Sequence, residues 1–284
     1  CKAEGKGDCM KRWKVILAAA VLALAAAGCS SGEETEEQPE KKVADLVIEL
    51  DEQDKKQETE PEEEKEEEKE PEQQKRTQTV VIDPGHSAVV AEGTEPLGPG
   101  STENKAADTS GTSGTVSGLA EYELTLSVSQ KLRDVLQDRG YTVLMTRESN
   151  DVPVSCIERA DVANNAEADA FVRIHANGSE DSSVKGAMTI CITPDNPFYP
   201  ELYEQARALS DCIINKLSES AGCENDGVWE TDSMSGNNWS QVPATIVEMG
   251  YMTNPEEDAL MATEDYQNKI VRGIADGIDQ YFGY

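Results

Sequence analysis

The residues best suited to chemistry are two histidines, which are the whole histidine content of this 284-residue chain. Each closes an apolar run rich in β-branched residues: His86 ends VVIDPGH, and His175 lies in FVRIHANGS. Two glutamates, Glu121 and Glu248, have comparable apolar settings. A carboxylate on an apolar face is costly unless it is paired or binds a cation. The four residues together therefore indicate a metal site.

Two imidazoles and one carboxylate form a His₂Glu set, which holds one Zn²⁺ ion with an open fourth position for water. The remaining glutamate is then able to act on that water. Taken singly, each residue has a plainer explanation: a histidine can be a hydrogen-bonded core residue, and a glutamate can stabilise the start of a helix. Only the combination of the four favours a metal site. Cys156 and Cys191 remain alternative ligands, although neither lies at a predicted strand end near the histidines.

The elements that must position these residues alternate between strand-like and helix-like segments after Arg76. This pattern predicts an α/β fold, a single domain with a mostly parallel twisted sheet flanked by helices on both faces. Ligands bind beyond the carboxyl ends of such strands, where we expect His86, His175 and Glu248 to meet. The predicted strands are 79–83, 141–146, 170–175, 187–193 and 244–249; the predicted helices are 121–139, 156–165, 199–221 and 266–282, with a short one starting at Asn254-Pro255.

Glu121 and Glu123 compete for the inward position at the start of the helix over residues 121–139. Glu121 extends the apolar stripe of Leu124 and Val128, so we expect it to face inward and Glu123 to face water. The segment 87–119 is rich in Gly, Ser, Thr and Pro, and we expect it to form a rim over the site. Asp83 is a candidate to orient His86 by a hydrogen bond, or else a turn residue before Pro84.

The N-terminal quarter of the chain has the composition of an export segment and a tether. Residues 1–9 precede Met10, and we expect them not to belong to the native start. Residues 10–28 carry basic residues and then a short apolar run that ends in AAAGCSS, which resembles a lipoprotein signal with Cys29 as the lipidated residue. Residues 29–76 are too acidic to collapse and are predicted to be a disordered tether, which leaves 77–284 as the catalytic domain.

Charge and cysteine content limit the partners of the protein. The formal net charge of −31 makes nucleic acid binding unfavourable, so no nucleic acid partner is expected, and no protein partner is predicted. The lipid anchor implies an extracytoplasmic position on the outer face of the cytoplasmic membrane. The four cysteines after residue 29 show no metal-knuckle spacing and are expected to be core residues: Cys156, Cys191, Cys212 and Cys223.

Four motifs occur in order: VVIDPGH, the glutamate of LAEYELTLSVSQKL, YTVLMTRESN with ERADVANNAEADAFVRIHANGS, and PATIVEMGYMTNPEED. In kind, order and spacing they resemble the type 3 N-acetylmuramoyl-L-alanine amidases, zinc hydrolases of peptidoglycan, over residues 79–282. The resemblance implies that His86, Glu121 and His175 bind zinc and that Glu248 is the catalytic acid or base. The implied reaction is hydrolysis of the amide between the lactyl group of N-acetylmuramic acid and L-alanine.

Two departures from the family pattern accompany the resemblance. The first histidine is followed by GHSAVVAEG instead of a Gly-Gly-x-Asp loop, and residues 224–243 are predicted to be a loop instead of an autoinhibitory helix. Asn177 and Trp239 are candidate substrate contacts, with core packing an equal alternative for Trp239. Competing functions are a zinc peptidase or deacetylase acting on the same polymer, and a non-catalytic wall-binding lipoprotein.

Overall fold

The structure, a computed structural model, describes residues 76–284. The predictions for residues 1–9, for the signal 10–28, for Cys29 and for the tether up to residue 75 lie outside this range. The strands are β1 Thr79–Pro84, β2 Thr94–Pro96, β3 Asn104–Ala106, β4 Thr142–Met145, β5 Ala170–Asn177, β6 Ala187–Cys191, β7 Asn225–Glu230 and β8 Ala244–Tyr251. The helices are α1 Glu121–Asp138, α2 Cys156–Asn165, α3 Tyr203–Ala221, α4 Ser235–Asn238, α5 Pro255–Met261 and α6 Glu264–Phe282.

Six of the strands form one sheet in the order β4-β1-β5-β8-β6-β7, and β2 pairs with β3 in a separate hairpin. Neighbouring strands of the large sheet are parallel except for β6 and β8, which are antiparallel. The predicted mostly parallel α/β fold is confirmed.

The two faces of the sheet have different coverings. Val80 and Ile82 of β1 point into the main apolar core, which α1, α3 and α6 cover. The alternate residue Val81 joins a smaller cluster with Phe171 of β5 under the short helices α2 and α4. On this second face, β1 carries Val81 and then Asp83 toward its carboxyl end. The neighbouring β5 carries Phe171, then Arg173 and then His175, so the residues become polar along both strands. Because only the short helices α2 and α4 cover this second face, the carboxyl ends of the central strands are accessible there.

The predicted elements are present, with small shifts at their ends. The start of the helix predicted from Tyr199 is a separate 3₁₀ turn, Pro200–Leu202, before α3. The prediction of a loop over 224–243 is wrong in part, because that segment contains the edge strand β7 and the four-residue helix α4. The hairpin β2–β3 was also not predicted. These elements are short and mostly polar, so they lack the apolar periodicity that reveals longer ones.

Within residues 76–284, no helix is both long enough and apolar enough to cross a membrane. The four cysteines of this range are free thiols, and only Cys191 is buried. The expectation that all four are core residues is therefore wrong for Cys156, Cys212 and Cys223, which are partly exposed.

Candidate metal centre

His86, Glu121 and His175 converge from three separate elements. His86 follows β1, Glu121 is the first residue of α1, and His175 lies near the end of β5. One ligand atom from each side chain lies within 4.8 Å of those of the other two. Glu121 Oε1 is 3.2 Å from His86 Nε2 and 3.1 Å from His175 Nδ1. Residues 35 and 54 positions apart along the chain are thus joined in one cluster.

Glu121 faces the interior, as the apolar stripe of α1 predicts. Its side chain is only 3% exposed, whereas Glu123 is exposed and accepts a hydrogen bond from the Ala120 amide. The amides of Thr112 and Ala176 donate to the two oxygens of Glu121, at 2.9 and 3.1 Å. Burial raises the pKa of Glu121, but hydrogen bonds and charges from His175 and His86 outweigh it and hold the pKa well below its usual range.

His86 adopts a left-handed backbone with φ of 59°, which is strained for a residue other than glycine. Its Nδ1 lies 2.8 Å from the carbonyl of Thr109, an arrangement that makes Nδ1 the donor and turns Nε2 toward Glu121. Burial lowers the pKa of His86, but the hydrogen bond and charge of Glu121, with help from Thr109 and Asp108, leave it above 6.5. The loop that we expected to form the rim therefore supplies the partner of His86.

The suggestion that Asp83 orients His86 is wrong. Asp83 is fully buried and accepts hydrogen bonds from Arg159 Nη1 at 2.8 Å, Arg173 Nε at 2.9 Å and Thr146 Oγ1 at 2.5 Å. Burial raises its pKa, but the two guanidinium charges outweigh this and bring the pKa well below its usual range. Asp83 therefore anchors an arginine cluster, whereas Nδ1 of His86 lies 2.8 Å from the Thr109 carbonyl.

Arg159 connects that arginine cluster to the metal site. It is 1% exposed, and it donates to the carbonyls of Pro84 at 2.7 Å and His86 at 3.0 Å. These bonds fix the turn that carries His86 in its strained conformation.

The donor set fits a divalent metal ion. Ligand atoms at 2.0–2.1 Å from a tetrahedral ion are about 3.3 Å apart, close to the 3.1 and 3.2 Å separations from Glu121 to the two imidazoles. His86 Nε2 faces a carboxylate, which is favourable only with a proton or a cation between them. His175 Nδ1 faces the same oxygen of this carboxylate at 3.1 Å. The other ring nitrogen of His175, Nε2, is buried with no hydrogen-bond partner among residues 76–284, so the ring has a nitrogen available to a bound group.

Glu248 lies next to the cluster on β8, paired in register with His175 of β5. Its Oε2 is buried and has no hydrogen-bond partner in the part of the chain that the structure describes. Burial and the nearby charge of Glu121 raise the pKa of Glu248 to about 8, against opposing effects of His86 and Arg173. The carboxyl group is thus free to exchange a proton near neutral pH.

His175 is held against the backbone of the turn before His86. Burial lowers the pKa of His175 to about 4, with the hydrogen bond of Glu121 opposing, so the imidazole is neutral at pH 7 and able to bind a metal. A Cβ atom on Gly85 would lie 2.3 Å from His175 Cε1. Only glycine allows this approach.

A cavity of about 310 Å³ opens beside the cluster and is lined by His86, His175 and Glu248. Its walls come from the hairpin residues Lys105 and Ala106 and from loop residues 233–236 around the start of α4. Arg173 also lines it. Lys105 and Arg173 were not predicted, because isolated basic residues on a short hairpin and inside a strand give no recognisable pattern. The expected rim over residues 87–119 does border the site.

Neither predicted substrate contact lines this cavity. Asn177 bonds through its Oδ1 to the adjacent Gly178 amide. Trp239 packs against the smaller apolar cluster, and its Nε1 donates to the Pro96 carbonyl at 2.8 Å. For Trp239 the structure thus shows the packing alternative. Cys156 does line the cavity but is not part of the metal-ligand cluster, and Cys191 is buried in a separate apolar cluster.

Residues 80–280 match the family model described as N-acetylmuramoyl-L-alanine amidase. The chain is 32% identical over 206 residues to N-acetylmuramoyl-L-alanine amidase Rv3717 of Mycobacterium tuberculosis, covering 69% of this chain and 84% of the relative. It is 28% identical over 207 residues to the amidase LytC of Bacillus subtilis, covering 72% of this chain but only 36% of LytC.

The fold matches the crystal structure of the amidase Ami1 from Mycobacterium smegmatis with a TM-score of 0.66 and 25% identity, over 72% of this chain and 97% of Ami1. The family model covers well over half of the chain, and the relatives share the architecture that carries the His86, Glu121 and His175 cluster. The chain therefore belongs to the N-acetylmuramoyl-L-alanine amidase family of peptidoglycan hydrolases.

Proposed function

We propose that this chain hydrolyses the amide between the lactyl group of N-acetylmuramic acid and L-alanine in peptidoglycan, with one Zn²⁺ ion held by His86, Glu121 and His175. The observation that carries the proposal is the cluster of two half-buried histidines and the buried Glu121 beside Glu248, which has a buried oxygen without a partner among residues 76–284 and lines the same cavity as the two imidazoles. When bound, zinc supplies Lewis acidity that polarises a carbonyl group and acidifies water.

Glu248 is the group that moves the proton. A carboxylate in this position takes a proton from the attacking water as the new C–O bond forms at the amide carbonyl. It then gives that proton to the alanine nitrogen, which must be protonated before the C–N bond breaks. Burial raises the pKa of Glu248, which helps the carboxyl group hold the proton between the two steps, while a cation beside it favours the ionised form that accepts the proton.

The remaining residues keep the cluster in place. The amides of Thr112 and Ala176 hold the Glu121 carboxylate, and the Thr109 carbonyl fixes the tautomer of His86. Gly111, with φ of 72°, lets the loop approach closely, because a Cβ atom there would lie 2.5 Å from Glu121 Oε2. Backbone amides and a backbone carbonyl thus hold the side chains of Glu121 and His86 in place.

Digestion of purified peptidoglycan tests the proposal directly. Amidase activity releases free lactyl carboxylates and new N-terminal alanine, whereas a peptidase or a deacetylase yields other termini. Glu248→Gln should lower the rate by about 10²- to 10⁴-fold while the protein still binds close to one zinc ion. Glu123→Gln, at an exposed carboxylate in the first turn of α1 beside Glu121, is the control and should keep full activity. Full activity in Glu248→Gln would rule out its assigned role.

A non-catalytic wall-binding role is disfavoured because all four residues of the constellation are present and converge.

We also propose that the protein is exported and anchored through a lipid on Cys29 to the outer face of the cytoplasmic membrane. The basic and apolar run followed by AAAGCSS supports this, as does an acidic tether over residues 29–76 long enough to extend from a membrane surface. Cys29→Ser should move the protein from the membrane fraction to the soluble fraction. Cys212→Ser is the control and should leave it in the membrane fraction.

A further inference from the structure

Arg173 is a buried cation whose hydrogen-bonding capacity is only partly used. It is 4% exposed, lines the cavity and lies two residues before His175 on the same face of β5. Its Nε donates to Asp83 at 2.9 Å, and Nη1 reaches Asn237 Oδ1 at 3.4 Å. Nη2 makes no hydrogen bond to any residue between 76 and 284. A guanidinium has five N–H donors, so Arg173 has donors left for a ligand in the cavity.

Lys105 is a second cation at the same cavity. It comes from β3, is half-buried and forms no ion pair within residues 76–284. Glu95 of β2 is paired in register with Lys105 and lies near enough to Arg173 for its pKa to be affected by that charge. It forms no ion pair with either cation within residues 76–284 and does not line the cavity. Two cations at one cavity of a chain with net charge −31 indicate an anionic ligand group there.

The sheet register gives the spacing of the backbone positions that carry Arg173 and the reacting residues. Asp83 pairs with Arg173 in one row, and His175 pairs with Glu248 two residues further along β5, a rise of about 6.6 Å. Consecutive Cα atoms in a peptide are about 3.8 Å apart, so a carboxyl group on the residue after L-alanine is on the order of 7 Å from the scissile amide. A substrate carboxyl group one residue beyond the scissile amide is therefore on the same length scale as the separation between the rows that carry Arg173 and His175.

Resting on the proposed function, we propose that Arg173 and Lys105 bind a free carboxylate on the stem-peptide residue that follows L-alanine. The enzyme then prefers substrates in which this group is an acid over those in which it is an amide. An amide cannot accept the charge-assisted hydrogen bonds that a guanidinium and an ammonium donate to a carboxylate.

Two muramoyl dipeptides that differ only in this carboxyl group, free or amidated, test the inference. For the unaltered protein, kcat/KM should be about tenfold to hundredfold higher for the free acid. Arg173→Gln should bring the ratio of the two kcat/KM values close to one, and Lys105→Gln should reduce it in part. Arg133→Gln, at a partly exposed arginine paired with Asp134 on α1 and absent from the cavity lining, is the control and should leave the ratio unchanged.

The outcomes separate this inference from the proposed function. Equal cleavage of both dipeptides by the unaltered protein overturns the inference while the amidase assignment stands. An unchanged ratio in Arg173→Gln, with both rates lowered equally, also overturns it, because Arg173 would then act only on the catalytic groups. Release of neither lactyl carboxylate nor N-terminal alanine overturns the proposed function itself. Should Arg173→Gln fail to fold, the substrate pair and Lys105→Gln still decide.

Discussion

Zinc uptake by the metal-free protein should displace protons, and replacing Glu248 changes their number by a calculable amount. The pKa of Glu248 is raised to about 8 by burial and by the charge of Glu121, so its carboxyl group is about 90% protonated at pH 7. A cation at the His86, Glu121 and His175 cluster favours the ionised form of this neighbouring carboxyl group. Metal binding should therefore release the proton.

His86 contributes a further part of a proton because Glu121 raises its pKa above 6.5, and His175 contributes almost none because its pKa is about 4. Glu248→Gln has no titrating carboxyl group. We expect it to release fewer protons per zinc ion than the unaltered protein, by about 0.9 at pH 7 and about 0.5 at pH 8, from the pKa of about 8.

Isothermal titration calorimetry at each pH, in buffers with different ionisation enthalpies, gives the number of protons from the slope of the apparent enthalpy. Glu123→Gln is the control, since this carboxylate lies in the first turn of α1 beside the ligand Glu121 but faces water. Equal proton release by Glu248→Gln and the unaltered protein at pH 7 would refute the placement of a protonated Glu248 beside the metal.

Three further outcomes are expected. Gly85→Ala places a Cβ atom 2.3 Å from His175 Cε1, so the imidazole must move and zinc affinity should fall at least about tenfold, measured by competition with a chelating dye. Arg159→Ala leaves Asp83 with an uncompensated buried charge and should lower the free energy of unfolding in urea by about 3–5 kcal/mol, whereas Arg133→Ala, at an exposed pair, should cost under about 1 kcal/mol. Glu248→Gln should stabilise the metal-free protein, little at pH 5 and most above pH 8. The folded-state pKa of Glu248 is raised, so the stability that its protonated carboxyl group provides is lost as pH rises toward that pKa. Thermal melting of both proteins with a chelator at pH 5 and pH 9 checks this. An equal difference in melting temperature at the two pH values would contradict it.

Much of the fold was predictable because its core elements carry strong periodic signals. The central strands β1, β5 and β8 are continuous apolar runs, and α1 shows a stripe from Glu121 through Leu124 to Val128. That stripe distinguished Glu121 from Glu123, and burial confirms it. The family predicted from four ordered motifs is confirmed as well.

The weaker elements depend on long-range contacts that no local pattern reveals. The hairpin β2–β3 and the helix α4 are joined by hydrogen bonds from Asn238 and Trp239 to the carbonyls of Leu97 and Pro96, more than 140 residues away, and their own residues show no periodicity. Asp83 shows the same limit. Its place before Pro84 suggested a partner for His86, but Arg159 and Arg173, 76 and 90 residues away, take its oxygens.

By itself the sequence determined which side chains are available for chemistry and which faces of α1 and the central strands turn inward, because burial and periodicity are local properties of residue type. Only the tertiary structure decided which of those side chains meet. The raised pKa of Glu248, the partner of His86 Nδ1 and the position of Arg173 beside the cavity all arise from contacts between distant segments. Electrostatic effects of this kind depend on distances of a few ångströms, which follow from packing and not from spacing along the chain.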